Sequence, residues 1–223
     1  YARMLLMASE VLVNNKHFLL AADHLQQAKT ICNEKLTDDG STNEMILNQL
    51  GSLYKSIDYY QEAVLAFEES AELQRYRNAQ LTPDYQSTLS QIIDISNTLK
   101  DTPRIIRWSK EKLETDTTSN MEARYGLMEK LASVLAAKKA DGVNDTVSVR
   151  EAVGYLQQAI ALRTGELEKK YPLGLNENDE RQYDYIYDRG KMANVMSDLI
   201  GYYYILGDTA EAMRLDKQSV GWL

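Results

Sequence analysis

Phe18, Ala21, Leu25 and Ala28 fall at spacings of three, four and three in "KHFLLAADHLQQAKTI", and Tyr60, Ala63, Phe67 and Ser70 repeat them 42 residues on. A second step of 42 lands on Thr102, Ile105, Ser109 and Lys112, a weaker echo with Ile105 at the small-residue place. Ala152, Leu156 and Ala159 in "REAVGYLQQAIAL" form a fourth unit, and "IGYYYILGDTAEAMRL" supplies a fifth with Gly201, Tyr204, Gly207 and Ala212. Spacings of three and four are one face of an α-helix, and self-similarity at a fixed period is the mark of a repeat architecture. No alternation of strand type persists long enough to compete.

The unit itself is a helical hairpin. The spacing predicts helices over 2–14 and 16–35, 42–56 and 58–79, 83–99 and 102–115, 119–138 and 147–170, then 178–206 and 208–220. Ser41 with Glu44, and Ser119 with Glu122, read as capping boxes. Thr82–Pro83 and Thr102–Pro103 each offer a hydroxyl cap followed by proline at the first helical position, where its missing donor costs nothing. "KADGVNDT" (139–146) and "YPLGLNENDE" (171–180) break the period and read as lengthened loops. Within the second unit, Gly51 and Ala63 let two helix backbones approach where Leu50, Tyr54 and Phe67 fill the space alongside. A bulky replacement of Ala63 should overpack that joint by about 1–3 kcal/mol. One hairpin cannot cover both of its apolar faces, so neighbours must stack on it.

Leu50-Gly51-x-x-Tyr54 and Ala63-x-x-x-Phe67 resemble the tetratricopeptide repeat (TPR), in a variant longer than the common period. The resemblance implies an all-α fold, a right-handed α-solenoid of about five hairpins. It would form a single domain over 1–223 with units near 2–41, 42–82, 83–118, 119–177 and 178–223. A start in helical pattern at Tyr1 and an end at "VGWL", with Val220, Trp222 and Leu223 apolar, lead us to expect a piece of something longer. In the resembling family the first helix of each hairpin lines a groove that receives peptides or protein segments. Carried over by repeat phase, that groove would present Glu10, Asn14, Asn48, Ser52, Lys55, Ser90, Asp94, Asn97, Asp198 and Tyr202. The alternative is that these are simply solvated polar faces. Leu6 and Glu10 stand where the chaperone-binding members need Lys and Asn for a carboxylate clamp, so a basic, neutral or small polar ligand fits better than an acidic chain end.

Chemistry is otherwise sparse. The net charge of −8 disfavours nucleic acid. Cys32 is the only cysteine, which removes internal disulfides and cysteine-rich zinc sites and reads as a small buried hydrophobe. No apolar run approaches the roughly 18 residues that cross a bilayer. "YIYDRGK" has Tyr185 where a phosphate loop requires glycine. His17 and His24, seven apart in the sequence, could share a helix face, but read as surface or packing residues. "TDDGSTNE" lacks the alternating oxygens of a calcium loop. No cofactor, metal or catalytic residue is expected, and the compartment, cytoplasmic or bacterial periplasmic, stays open.

Tyrosine is the unusual component, 15 against 2 phenylalanines. Tyr183, Tyr185 and Tyr187, and Tyr202, Tyr203 and Tyr204, form two clusters. Helical spacing places most of these rings in seams between helices, with at least one of 202–204 turned outward. The functional expectation is a non-catalytic scaffold that binds a protein or peptide. Two rivals stand beside it: the sensor domain of a bacterial signalling protein (a histidine kinase or transcriptional regulator), and a small-molecule or glycan-binding helical protein using the tyrosines.

Overall fold

The computed structural model describes residues 1–35, 40–117, 120–137, 143–171 and 180–220. Among them are ten helices and no strand: α1 (Ala2–Asn14), α2 (Phe18–Lys35), α3 (Ser41–Ser56), α4 (Tyr60–Tyr76), α5 (Pro83–Leu99), α6 (Thr102–Thr115), α7 (Met121–Ala136), α8 (Thr146–Lys170), α9 (Gln182–Ile205) and α10 (Thr209–Ser219). The all-α, hairpin-built fold is therefore the one its spacing announces. The chain divides into two compact units, Tyr1–Thr117 and Thr118–Leu223. The first holds the hairpins α1–α2, α3–α4 and α5–α6, with α2 packed on α3 and α4 on α5. The second holds α7–α8 and α9–α10, with α8 packed on α9.

The 42-residue period has a concrete origin in the tight turns. Lys16, Asp58 and Lys100 each adopt left-handed backbone, at φ 61°, 62° and 56°. After each one the chain closes the preceding helix with the same bond: His17 N–H to Leu12 C=O at 2.8 Å, Tyr59 to Tyr54 at 2.8 Å and Asp101 to Ser96 at 2.9 Å. Gly207, at φ 78°, closes α9 the same way through Asp208 and Tyr203 at 3.0 Å. These are Schellman ends, which satisfy orphan carbonyls and turn the chain sharply.

The small residues sit where the hairpins cross. Ala21, Ala63, Ala152 and Ala212 are all fully buried, and at the degenerate third unit Ile105 is also buried. At the best-formed crossing, a methyl group on Gly51 would lie 2.7–2.8 Å from three ring atoms of Phe67. Around the first crossing Leu5, Leu6, Leu25, Ala28, Ile46, Leu50 and Leu53 build one continuous core, and Cys32 packs half-buried at its margin.

Several local expectations are corrected. Ser41 does not head a capping box, because Gly40 at φ 85° already occupies the cap and Ser41 is helical. Glu44 is drawn instead to Arg77 and to Gln74 Nε2, the latter at 2.8 Å. Thr102 is likewise the first helical residue of α6, since Asp101 accepts from Arg104 N–H at 3.2 Å and a carboxylate caps at least as well as a hydroxyl. Thr82 does cap α5, accepting from Tyr85 N–H at 3.2 Å. Ser119, Trp222, Leu223, residues 139–142 of the first expected long loop and 172–179 of the second lie outside the described residues; α7 is capped by Asn120, which accepts from Ala123 N–H at 3.0 Å. His17 belongs to the turn before α2 and not to the helix that carries His24.

Candidate functional site

Stacking hairpins places α1, α3 and α5 side by side in the first unit, and their free faces form two clefts. The first, of about 370 Å³, has Val13, Leu25 and Leu53 as an apolar floor, edged by Glu10, Asn14, Gln49, Ser52 and Ser56. The second, of about 410 Å³, lies between α3 and α5 and is lined by Glu44, Met45, Asn48, Gln49, Ser52, Phe67, Asp84, Ser87, Thr88 and Gln91. Gln49 and Ser52 belong to both, so the two clefts adjoin at α3. Volumes of this size hold a side chain or a short peptide segment.

The sequence-expected residues divide accordingly. Glu10, Asn14 and Ser52 meet in the first cleft, and Asn48 and Ser52 in the second. Lys55 stands beside the second, donating to Gln91 Oε1 at 2.7 Å. The half-buried Asn48 carries a buried amide oxygen without a hydrogen-bond partner. Ser90 is not in either lining: it accepts from Lys112 Nζ at 2.7 Å, the same ammonium that donates to Gln86 C=O at 3.0 Å. Burial pushes the Lys112 ammonium below its ordinary value, while Asp116 and Asp94 oppose that. Asn97 is exposed and donates to Ile93 C=O of its own helix at 2.9 Å. Asp94 is exposed too.

Gln49 and Gln91 are the residues the sequence reading missed, and they were visible as the same residue 42 apart. Gln49 is held at both ends, donating to Glu10 Oε1 at 2.6 Å with the Ser9 hydroxyl 3.1 Å from its oxygen. Each glutamine therefore ties its own repeat to the one before.

In the second unit, Asp198 and Tyr202 lie one turn apart on α9. Burial, with Glu129 as a second cause, holds the Asp198 carboxyl above the ordinary carboxylate range. Burial also raises the Tyr202 phenol, and Asp198 adds to it. A separate cleft of about 410 Å³ is lined by Glu122, Tyr125, Arg163, Glu166 and Lys170 among others. Its cations are already matched. Arg163 makes two bonds to Glu129, at 2.6 and 3.0 Å, and stacks 4.0 Å over Tyr125. Lys170 and the Tyr171 hydroxyl converge on Asp188 at 2.9 and 3.2 Å, and Lys169 pairs with Glu166 at 2.8 Å. That cleft is a product of interhelical pairing.

Half of the tyrosines in the two clusters are not seam residues. Tyr183, Tyr187 and Tyr204 are exposed, at 80%, 57% and 49%, while Tyr185, Tyr202 and Tyr203 are half-buried. The outward turn of one ring among 202–204 is found at Tyr204. Among the described residues, no group of three or more His, Cys, Asp and Glu is placed to hold a metal ion, and no helix is long and apolar enough to cross a membrane.

No family model matches the chain, and no curated protein does. Solved structures do. The chain resembles the nearly identical TPR-like repeats of a Podosopora anserina protein described as a kinesin light chain, with a TM-score of 0.52 and 17% identity over 99% of this chain and 93% of that one. A variant of the same protein carrying one substitution gives a TM-score of 0.53 at the same identity and coverage. Likeness at this level establishes the fold, that of TPR-like helical repeats.

Proposed function

We propose that this TPR-like chain is a non-catalytic binding module whose α1, α3 and α5 receive an extended segment of another protein. The observation that carries the reading is the pair of clefts that share Gln49 and Ser52. A single depression suits a small ligand. Two in register along successive first helices suit a chain that passes over both. Their walls are preformed: Gln49 and Gln91 are each fixed by a neighbouring repeat, so binding costs little ordering of the receptor. The partly unsatisfied Asn48 amide offers hydrogen bonding to a peptide backbone. Protein binding also accords with the TPR-like scaffold of the structural neighbours.

The test is selection from a displayed random-peptide library, followed by titration of the selected peptides against wild type and the Asn48→Ala variant. Selected peptides are expected to lose affinity to the variant. Equal affinity for every one of them, or a library that yields no binder, would remove the groove from the explanation.

A further inference from the structure

Taking the groove to be a peptide site, we infer that its two clefts take cationic side chains of the bound segment. Charge supports it first. The two linings contain three carboxylates, Glu10, Glu44 and Asp84, and no lysine or arginine; the cation beside the second cleft, Lys55, is turned to Gln91. Glu44 is already compensated by Arg77. Glu10 and Asp84 are exposed. Glu10 has one oxygen engaged by Gln49, in a neutral hydrogen bond that leaves its charge standing.

Shape supports it second. The first cleft is more than a carboxylate, because Val13, Leu25 and Leu53 floor it while Glu10 stands at its edge. An apolar floor with an anion at the rim matches a lysine or arginine, whose methylene stem lies on apolar surface while its head stays polar. A leucine would fill the floor and leave Glu10 unused; a glutamate would meet like charge. In the second cleft the exposed Met45 side chain supplies the apolar surface, and Asp84 the anion.

The experiment is fluorescence polarisation of labelled short peptides on the whole chain. One carries two arginines, a second has glutamines in their place, and a third has glutamates. Spermidine serves as competitor. The first peptide is expected to bind best and to weaken as salt rises. Glu10→Gln and Asp84→Asn should each reduce affinity about twofold to fivefold, as expected for exposed charge pairs. Glu168→Gln, on the exposed end of α8, should change nothing. Preference for the glutamate peptide, indifference to both substitutions, or spermidine binding as tightly as the first peptide each overturns the inference. If neutral or acidic peptides bind and Asn48→Ala weakens them, the groove survives and only its charge preference falls. If no peptide of any kind binds, both go.

Discussion

Replacing Gly51 by alanine isolates the joint on which the hairpin depends. An added Cβ would stand 2.7 Å from Phe67 Cε2 and 2.8 Å from both Cδ2 and Cζ. Ordinary carbon contact begins at about 3.5 Å, so the ring has to retreat by roughly 0.7–0.8 Å. Phe67 is only 3% exposed, in a helix whose Ala63, Val64 and Ala71 are fully buried, which leaves it little room. Overpacking of this kind costs about 1–3 kcal/mol. Against it stands the intrinsic gain of about 1 kcal/mol for alanine over glycine inside a helix. The net effect on stability is thus a loss of roughly 0–2 kcal/mol, too near zero to interpret alone.

Comparison resolves this. Gly154 is also within a helix, and a Cβ there meets nothing within 4 Å. Gly154→Ala should therefore show the propensity gain undiluted, and the difference between the two substitutions should equal the overpacking cost of about 1–3 kcal/mol. Because repeat arrays can unfold in parts, the readout is amide hydrogen exchange, taken over α3 and α4 for one and over α8 for the other. A double-mutant cycle with Phe67→Leu should recover most of the difference, since the smaller side chain vacates the contact. Were Gly51→Ala to stabilise its hairpin as much as Gly154→Ala stabilises α8, close approach at the crossing would not be the reason for the glycine.

Two further outcomes are expected. Lys100→Gly should stabilise the α5–α6 turn by about 0.5–1 kcal/mol, because the left-handed backbone costs an L-residue about 1–2 kcal/mol and glycine's greater freedom when unfolded returns part of it; a lower thermal midpoint for this variant would contradict the turn assignment. Tyr85 is fully buried and donates to Glu111 at 2.7 Å, and burial, then Glu111, pushes its phenol well above the usual value. A group whose folded value is raised contributes fully below its unfolded value of about 10 and loses that contribution as pH climbs beyond it. Thermal midpoints between pH 8 and 11 should accordingly fall less steeply for Tyr85→Phe than for wild type, and parallel curves would refute the buried, protonated phenol.

The scaffold was legible because its determinants are local and repeated. A small residue at Ala21, Ala63, Ala152 and Ala212, and a turn at 16, 58 and 100, recur regardless of what lies around them. Capping was less legible, because Gly40 and Asp101 stand one residue before the hydroxyls that seemed to be caps, and only backbone geometry decides between neighbours. The tyrosines show an error the sequence itself could have prevented. Met192, Val195, Met196 and Leu199 form the buried stripe of α9. Carried back two turns, that stripe reaches 185, 188 and 189 and passes by 183 and 187. Equal spacing placed Tyr183 and Tyr187 on one face; the stripe says it is the outer one. The groove is the harder case. Gln49 and Gln91 share a repeat position, yet one donates to Glu10 and the other accepts from Lys55. A glutamine can do either, so its identity fixes no partner. What sets it is the charge one repeat back, and Ser52, not another glutamate, stands at the place that follows Glu10 by 42. Repetition therefore conserves the packing positions while leaving the groove free to vary from unit to unit, and it is in that variation that the chemistry of a ligand has to be read.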